Sequence, residues 1–164
     1  MKIHMGADHR GAEVLVHLRD ILTDSGHEIT LVKPREDGTC DYPDMAYPVA
    51  VEVANGSADR GILICGTGIG MSIAANKVDG IRAAVVHDEI SADMSRRHNN
   101  ANILCLPADL LGTSVVAKIV ETWLETGFDG GRHSRRVNKV HAIERGIDPA
   151  SISDTPNEQD VSVA

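Results

Sequence analysis

The stretch RGILICGTGIGMSIAANK, residues 60–77, decides the fold. Gly61-Ile62-Leu63-Ile64 is a short β-branched and leucine-rich run, so Arg60 to Cys65 is expected to be a strand buried on both faces. Gly66, Gly68 and Gly70 follow at alternate positions. Glycine at such spacing lets the backbone take positive φ and approach a ligand closely. Met71 to Lys77 suits a short helix whose free N–H groups point back at the loop and favour an anion there. A thiol, Cys65, therefore stands at the mouth of an anion hole.

Strand and helix patterns alternate outward from this centre. Lys2 to Met5 reads as the first strand, Glu28 to Val32 as the second, Arg82 to Val86 as the fourth and Asn102 to Leu106 as the fifth. Helical spacing covers Ala12 to Ser25, Met45 to Asn55, Glu89 to His98, Leu110 to Thr126 and Gly131 to Arg145. Lys33 to Asp44, with Pro34 and Pro43, reads as a long polar loop. The alternation implies an α/β fold: a three-layer sandwich with a five-stranded parallel sheet, Rossmann-like. Residues 1–147 form one domain on this reading, and 148–164 a polar tail.

The chain has 164 residues, enough for one domain with a real core, and a net charge of −8, which argues against a nucleic-acid protein. No apolar run is long enough for a signal peptide or a membrane span. Three cysteines, Cys40, Cys65 and Cys105, without C-x-x-C spacing, fit a reducing cytoplasm and neither a disulfide scaffold nor a zinc site.

In a parallel α/β sheet the ligand lies at the carboxyl ends of the strands. That rule collects Asp8 and His9, Cys65 with the glycine loop, and His87 with Asp88. A lone cysteine is more often a small buried hydrophobe than a nucleophile or base. Cys65 differs because a glycine loop and a helix start follow it, a setting that lowers a thiol's pKa. Thr67, inside the loop, joins it as a catalytic candidate. Arg132 and Arg136, four apart, share a face of the last helix, with His133, Arg135 and Lys139 adding charge. Surface carboxylates are the ordinary partner of such an island, and a phosphate is the sharper one. Gly66-Thr67-Gly68-Ile69-Gly70 also suggests a dinucleotide fingerprint, with Asp88 as the ribose acid, but the third glycine comes a residue early and the motif follows the third strand. A nicotinamide-dependent oxidoreductase and a non-catalytic phosphosugar-binding protein are therefore the alternatives to an enzyme using Cys65 as a base.

Taken together, Gly6-Ala7-Asp8-His9-Arg10-Gly11, Asp41-Tyr42-Pro43, Ile64 to Gly70, Ile73 to Lys77, Ser95-Arg96-Arg97-His98-Asn99, and Gly131-Arg132-His133 with Arg136 resemble the type B ribose-5-phosphate isomerases, which share a family with the galactose-6-phosphate isomerase subunits. The resemblance runs from residue 2 to about 145. It implies an aldose–ketose isomerase using neither metal nor nucleotide cofactor, with D-ribose 5-phosphate or a related phosphosugar as substrate. Cys65 would be the base, and His98 the acid that opens the furanose ring. Asp8 and Tyr42 would hold hydroxyls, and His9, Arg132 and Arg136 the phosphate. Asn99 would meet the enediolate or a hydroxyl, and Gly66, Gly68, Ile69 and Gly70 would line the substrate. His98 and Asn99 would come from a neighbouring subunit, making a homodimer or tetramer with shared sites. Many members carry an arginine where this chain has Asp109. Here Asp109 is expected to cap a helix beginning at Leu110 and to leave the phosphate clamp one cation short.

Overall fold

The computed structural model describes residues 1–33 and 40–152. Pro34, in the expected polar loop, and residues 153–164 of the expected tail lie outside the described residues. Five strands form one parallel sheet: β1 (Lys2–Ala7), β2 (Glu28–Leu31), β3 (Arg60–Cys65), β4 (Ala83–Val85) and β5 (Ile103–Pro107), in the order β2-β1-β3-β5-β4. Between and after them come α1 (Ala12–Asp24), α2 (Tyr42–Ala54), α3 (Ile69–Ala75), α4 (Glu89–Asn99), α5 (Thr113–Glu125) and α6 (Arg132–Glu144). The alternation read from the sequence is the observed order.

The central strands are buried on both faces because helices cover both. Ile62 and Ile64 of β3 and Leu104 and Leu106 of β5 pack with α1 and α5. Leu63 and Cys65, and Ile103 and Cys105, point the other way into a core shared with α2 and α3. Period-two alternation thus puts the Cys65 thiol on the α2/α3 side. The chain leaves β1 outward to β2 and returns to β3 on the other flank of β1. The carboxyl ends of β1 and β3 therefore form a switch point, where parallel sheets open a ligand crevice.

Two helix starts differ from expectation by three residues. α2 begins at Tyr42, three residues early, because a proline in the first helical turn sacrifices no intrahelical hydrogen bond. α5 begins at Thr113, not Leu110, with Gly112 as its N-cap residue. The segment before it is held elsewhere: Ala108 N–H donates to the Cys65 carbonyl at 2.8 Å and Asp109 N–H to the Gly66 carbonyl at 3.1 Å. Asp109 is therefore no helix cap. Asp148 caps a 3₁₀ turn at Pro149–Ser151, the start of the segment read as tail.

Arg96 bolts the end of α4 in place. It is 3% exposed, and its guanidinium donates to the carbonyls of Ala101 and Thr126 and to the Asn100 side chain. It also lies 5.6 Å over the ring of Trp123, whose indole N–H donates to Ser95 Oγ. Burial pulls its pKa down to about 10, so it stays charged at neutral pH. Arg96→Met keeps the bulk and orphans these acceptors, so urea unfolding should show a loss of about 3 kcal/mol. A loss under about 1 kcal/mol would mean that water replaces the guanidinium.

Candidate active site

At the switch point the backbone builds the site before any side chain does. Asp8 N–H donates to the Ile64 carbonyl at 3.2 Å, tying the end of β1 to the end of β3. The Asp8 carboxylate accepts from the N–H groups of Arg10 at 2.9 Å and Gly11 at 3.3 Å, which fixes its direction. Cys65 is 6% exposed, and its Sγ accepts from the Gly68 N–H at 3.1 Å. That bond fixes the direction in which the sulfur points. Gly68 reaches that position only at φ 75°, where a side chain is strained. Thr67 is exposed, and its Oγ1 accepts from Ile69 N–H at 3.4 Å. A Cβ on Gly70 would sit 3.0 Å from the ring of Tyr42, so the first turn of α2 walls the loop.

The other thiols are set apart by their surroundings. Full burial pushes Cys105 up, with the nearby Cys65 adding to the effect. Cys40 is pushed up by burial and by Asp8, Asp41 and Asp44, against the N–H of His9. His9 itself is exposed at the rim. Asp88, the candidate ribose acid, is occupied as the cap of α4: it accepts from Ser91 N–H at 2.6 Å, and that backbone bond, with the Ser91 side chain, holds its pKa low. His87 is exposed beside it.

One feature of this rim had only half a signal in the sequence. Asp109 accepts from Arg10 Nε at 2.6 Å, across Gly66, where a Cβ would collide with both side chains. The pair puts a guanidinium next to His9 and above the glycine loop. Asp109 therefore does not stand at the rim unpaired; Arg10 brings a cation to it. Arg10 stands in the Gly6–Gly11 motif, and the opposite charge at Asp109 was the clue to it.

The remaining candidates gather at the opposite edge of the sheet. α4 starts past the carboxyl end of β4 and runs back, so His98 and Asn99 lie near the amino end of β5. Arg82, just before β4, donates to the carbonyls of Asn99 and Asn100, and Asn102, just before β5, bonds the Arg82 backbone. His98 stacks on His133 of α6, with ring centroids 4.3 Å apart. Arg132 Nε donates to His133 Nε2 at 3.4 Å. Asn99 and Arg136 line a cleft of about 310 Å³ with Asn76 and Arg82. The five residues of β5 span about 16 Å. One chain thus brings together Asp8, His9, Tyr42, Cys65 and the loop, and separately His98, Asn99, Arg132 and Arg136. His133 and Asp129 are part of the second group, and the sequence reading gave neither a role of its own.

Comparison with known proteins is consistent over nearly the whole chain. Residues 3–140 match the model of a family described as ribose/galactose isomerase. The ribose-5-phosphate isomerase B of Escherichia coli is 43% identical over 148 residues, covering 88% of this chain and 97% of that protein. The structure of Clostridium thermocellum ribose-5-phosphate isomerase B superposes with a TM-score of 0.86 at 47% identity, over 89% of this chain and 99% of that one. The Mycoplasma genitalium ribose-5-phosphate isomerase B with bound ribulose-5-phosphate gives a TM-score of 0.84 at 40% identity, over 88% and 96%.

Proposed function

This chain belongs to the ribose/galactose isomerase family and is an aldose–ketose isomerase, and we propose from that premise that Cys65 is the base interconverting D-ribose 5-phosphate and D-ribulose 5-phosphate. The observation that carries the assignment is the Gly68 N–H on Cys65 Sγ beside the fixed carboxylate of Asp8. In the open-chain aldose the Cys65 thiolate removes the C2 proton, the electrons move into an enediolate, and the proton is returned at C1. The glycine loop offers backbone N–H groups to the oxygen on which charge develops, apart from those of Gly68 and Ile69, which Cys65 Sγ and Thr67 Oγ1 accept, with Thr67 beside them. Asp8 and Tyr42 hold sugar hydroxyls. His9, Arg132 and Arg136 hold the phosphate, whose remote binding fixes the reacting carbon. His98 opens the furanose ring and Asn99 meets the enediolate.

The separation of the two residue groups supports a composite site, in which His98, Asn99, Arg132 and Arg136 of one subunit face Cys65 of its neighbour. A homodimer, or a tetramer made of two such dimers, is the assembly this requires. The family does not favour a nicotinamide-dependent oxidoreductase, and the engagement of Asp88 as a cap leaves that reading without its ribose acid. Among the described residues no helix is long and apolar enough to cross a membrane. Three unpaired cysteines fit work in the cytoplasm. We take residues 1–147 as the catalytic domain and 148–164 as an appendage to it. Assay of the purified protein with chelator present, on a panel of five- and six-carbon aldose phosphates, tests the reading. No turnover of any member would overturn it.

The Arg10–Asp109 pair gives a substrate-binding test. If Arg10 supplies a phosphate cation, Arg10→Ala should raise KM for D-ribose 5-phosphate about ten-fold or more, because a charged hydrogen bond is lost and the Asp109 carboxylate is left facing the anion. Asp109→Ala should lower KM by freeing the guanidinium, and kcat should move little in either. Equal KM values in both variants would place the phosphate away from the pair.

A further inference from the structure

His98 and His133 lie in a parallel stack, with ring planes within 2°. Nitrogens of both rings and the carboxylate of Asp129 lie within 4.8 Å of one another. Two charged imidazoliums this close repel, whereas one charged ring over a neutral one attracts as a cation over a π face. The stack therefore favours a single proton charge shared by two rings, and the two titrate as a unit.

The surroundings decide which ring is neutral. Arg132 Nε donates to His133 Nε2, so that nitrogen is an acceptor and the ring's proton sits on Nδ1. Nδ1 is buried without a hydrogen-bond partner. Burial pushes His133 toward the neutral form, His98, Arg132 and Arg136 push the same way, and Asp129 opposes them. Asp129 is the facing counter-charge; it also takes Arg97 Nε on both oxygens at 3.1 and 3.2 Å, while Asp93 pairs with Arg97 at 3.5 Å. A divalent cation fits the same groups poorly. Parallel rings aim their lone pairs side by side, not at a common point, and Arg97, Arg132 and Arg136 surround them.

We propose that Asp129 and His133 are positioning residues for His98: Asp129 is the counter-charge, and His133 the flat neutral face, against which His98 carries the proton it gives to the sugar. The proposal rests on the reading of His98 as the ring-opening acid. In that step the C1–O4 bond of the furanose breaks with its electron pair on O4, and O4 takes the His98 proton. O1 loses its proton to water and becomes the aldehyde oxygen.

The test is an NMR titration of histidine ring protons in the intact protein, with the His98 signal identified by its loss in His98→Gln and the His133 signal by its loss in His133→Phe, alongside the pH profile of kcat/KM for D-ribose 5-phosphate. An acid must be protonated to act, so activity falls as pH rises through the pair's titration. In Asp129→Asn that titration should move about one pH unit lower, and the alkaline limb of the profile should follow it. His133→Ala should lose activity and His133→Phe should recover it, because phenylalanine keeps the flat neutral face. An unmoved titration in Asp129→Asn overturns the proposal, as does a moved titration with an unmoved alkaline limb, or a His133→Phe no better than His133→Ala. The expected titration shifts in a wild type that isomerises no aldose phosphate would uphold the charged stack and strike the isomerase reading alone.

Discussion

Cys65→Ala is expected to lose isomerisation by about a thousand-fold or more in kcat, the upper part of the range for removing a positioned general base. Binding of D-ribulose 5-phosphate should stay within about two-fold, because the phosphate and hydroxyl ligands proposed here come from other residues. A thousand-fold loss is about 4 kcal/mol of barrier. Cys65→Ser should recover little: a hydroxyl is a far weaker base, although it can still accept the Gly68 N–H. The other two thiols cannot substitute. Cys105 is wholly buried and pushed toward the protonated form, and Cys40 is held protonated by burial and three nearby aspartates. Stopped-flow assay of both variants, with binding followed by calorimetry, decides the matter. Retention of most of kcat in either variant would remove Cys65 from the chemistry.

The parts of this site that were legible in the sequence are those whose causes are local. The β3 run, the glycine loop and the helix after it follow from residues within eighteen positions of one another, and β3 fell at Arg60–Cys65 as expected. The parts that were not legible depend on distant partners. α5 starts late because the turn before it is bonded to the carbonyls of Cys65 and Gly66, some forty residues upstream, and those bonds outcompete the helical propensity of Leu110 and Leu111. Asp109 looked like a cap because nothing nearby shows that its partner is Arg10, ninety-nine residues away. The stack of His98 on His133 has the same character: each sits in its own helix, and only packing of α6 on α4 brings the rings together. Motif content therefore located the thiol and its loop, while the charge arrangement around them is a product of tertiary structure.

His98→Ala should be nearly inactive alone, as Cys65→Ala should, yet a mixture of the two, unfolded together and reassembled, should regain activity. The reason is geometric. Cys65 ends β3 on the carboxyl side of the sheet, and His98 ends α4 on the amino side, separated by about the length of β5, roughly 16 Å. A sugar phosphate of five carbons cannot reach across that distance and also place its ring oxygen on His98 and its C2 on Cys65. Two copies about a two-fold axis can bring the unlike edges together twice over, giving two identical composite sites. In a heterodimer of the variants, one site then has both residues intact and the other has neither. Random reassembly makes half the dimers mixed, and half the sites in those are competent, so about a quarter of wild-type activity should return. Sedimentation establishes that dimers form, and differently tagged chains establish that they are mixed. Mixed dimers without recovered activity would mean that Cys65 and His98 serve the same site from one chain, and the composite arrangement would have to be abandoned.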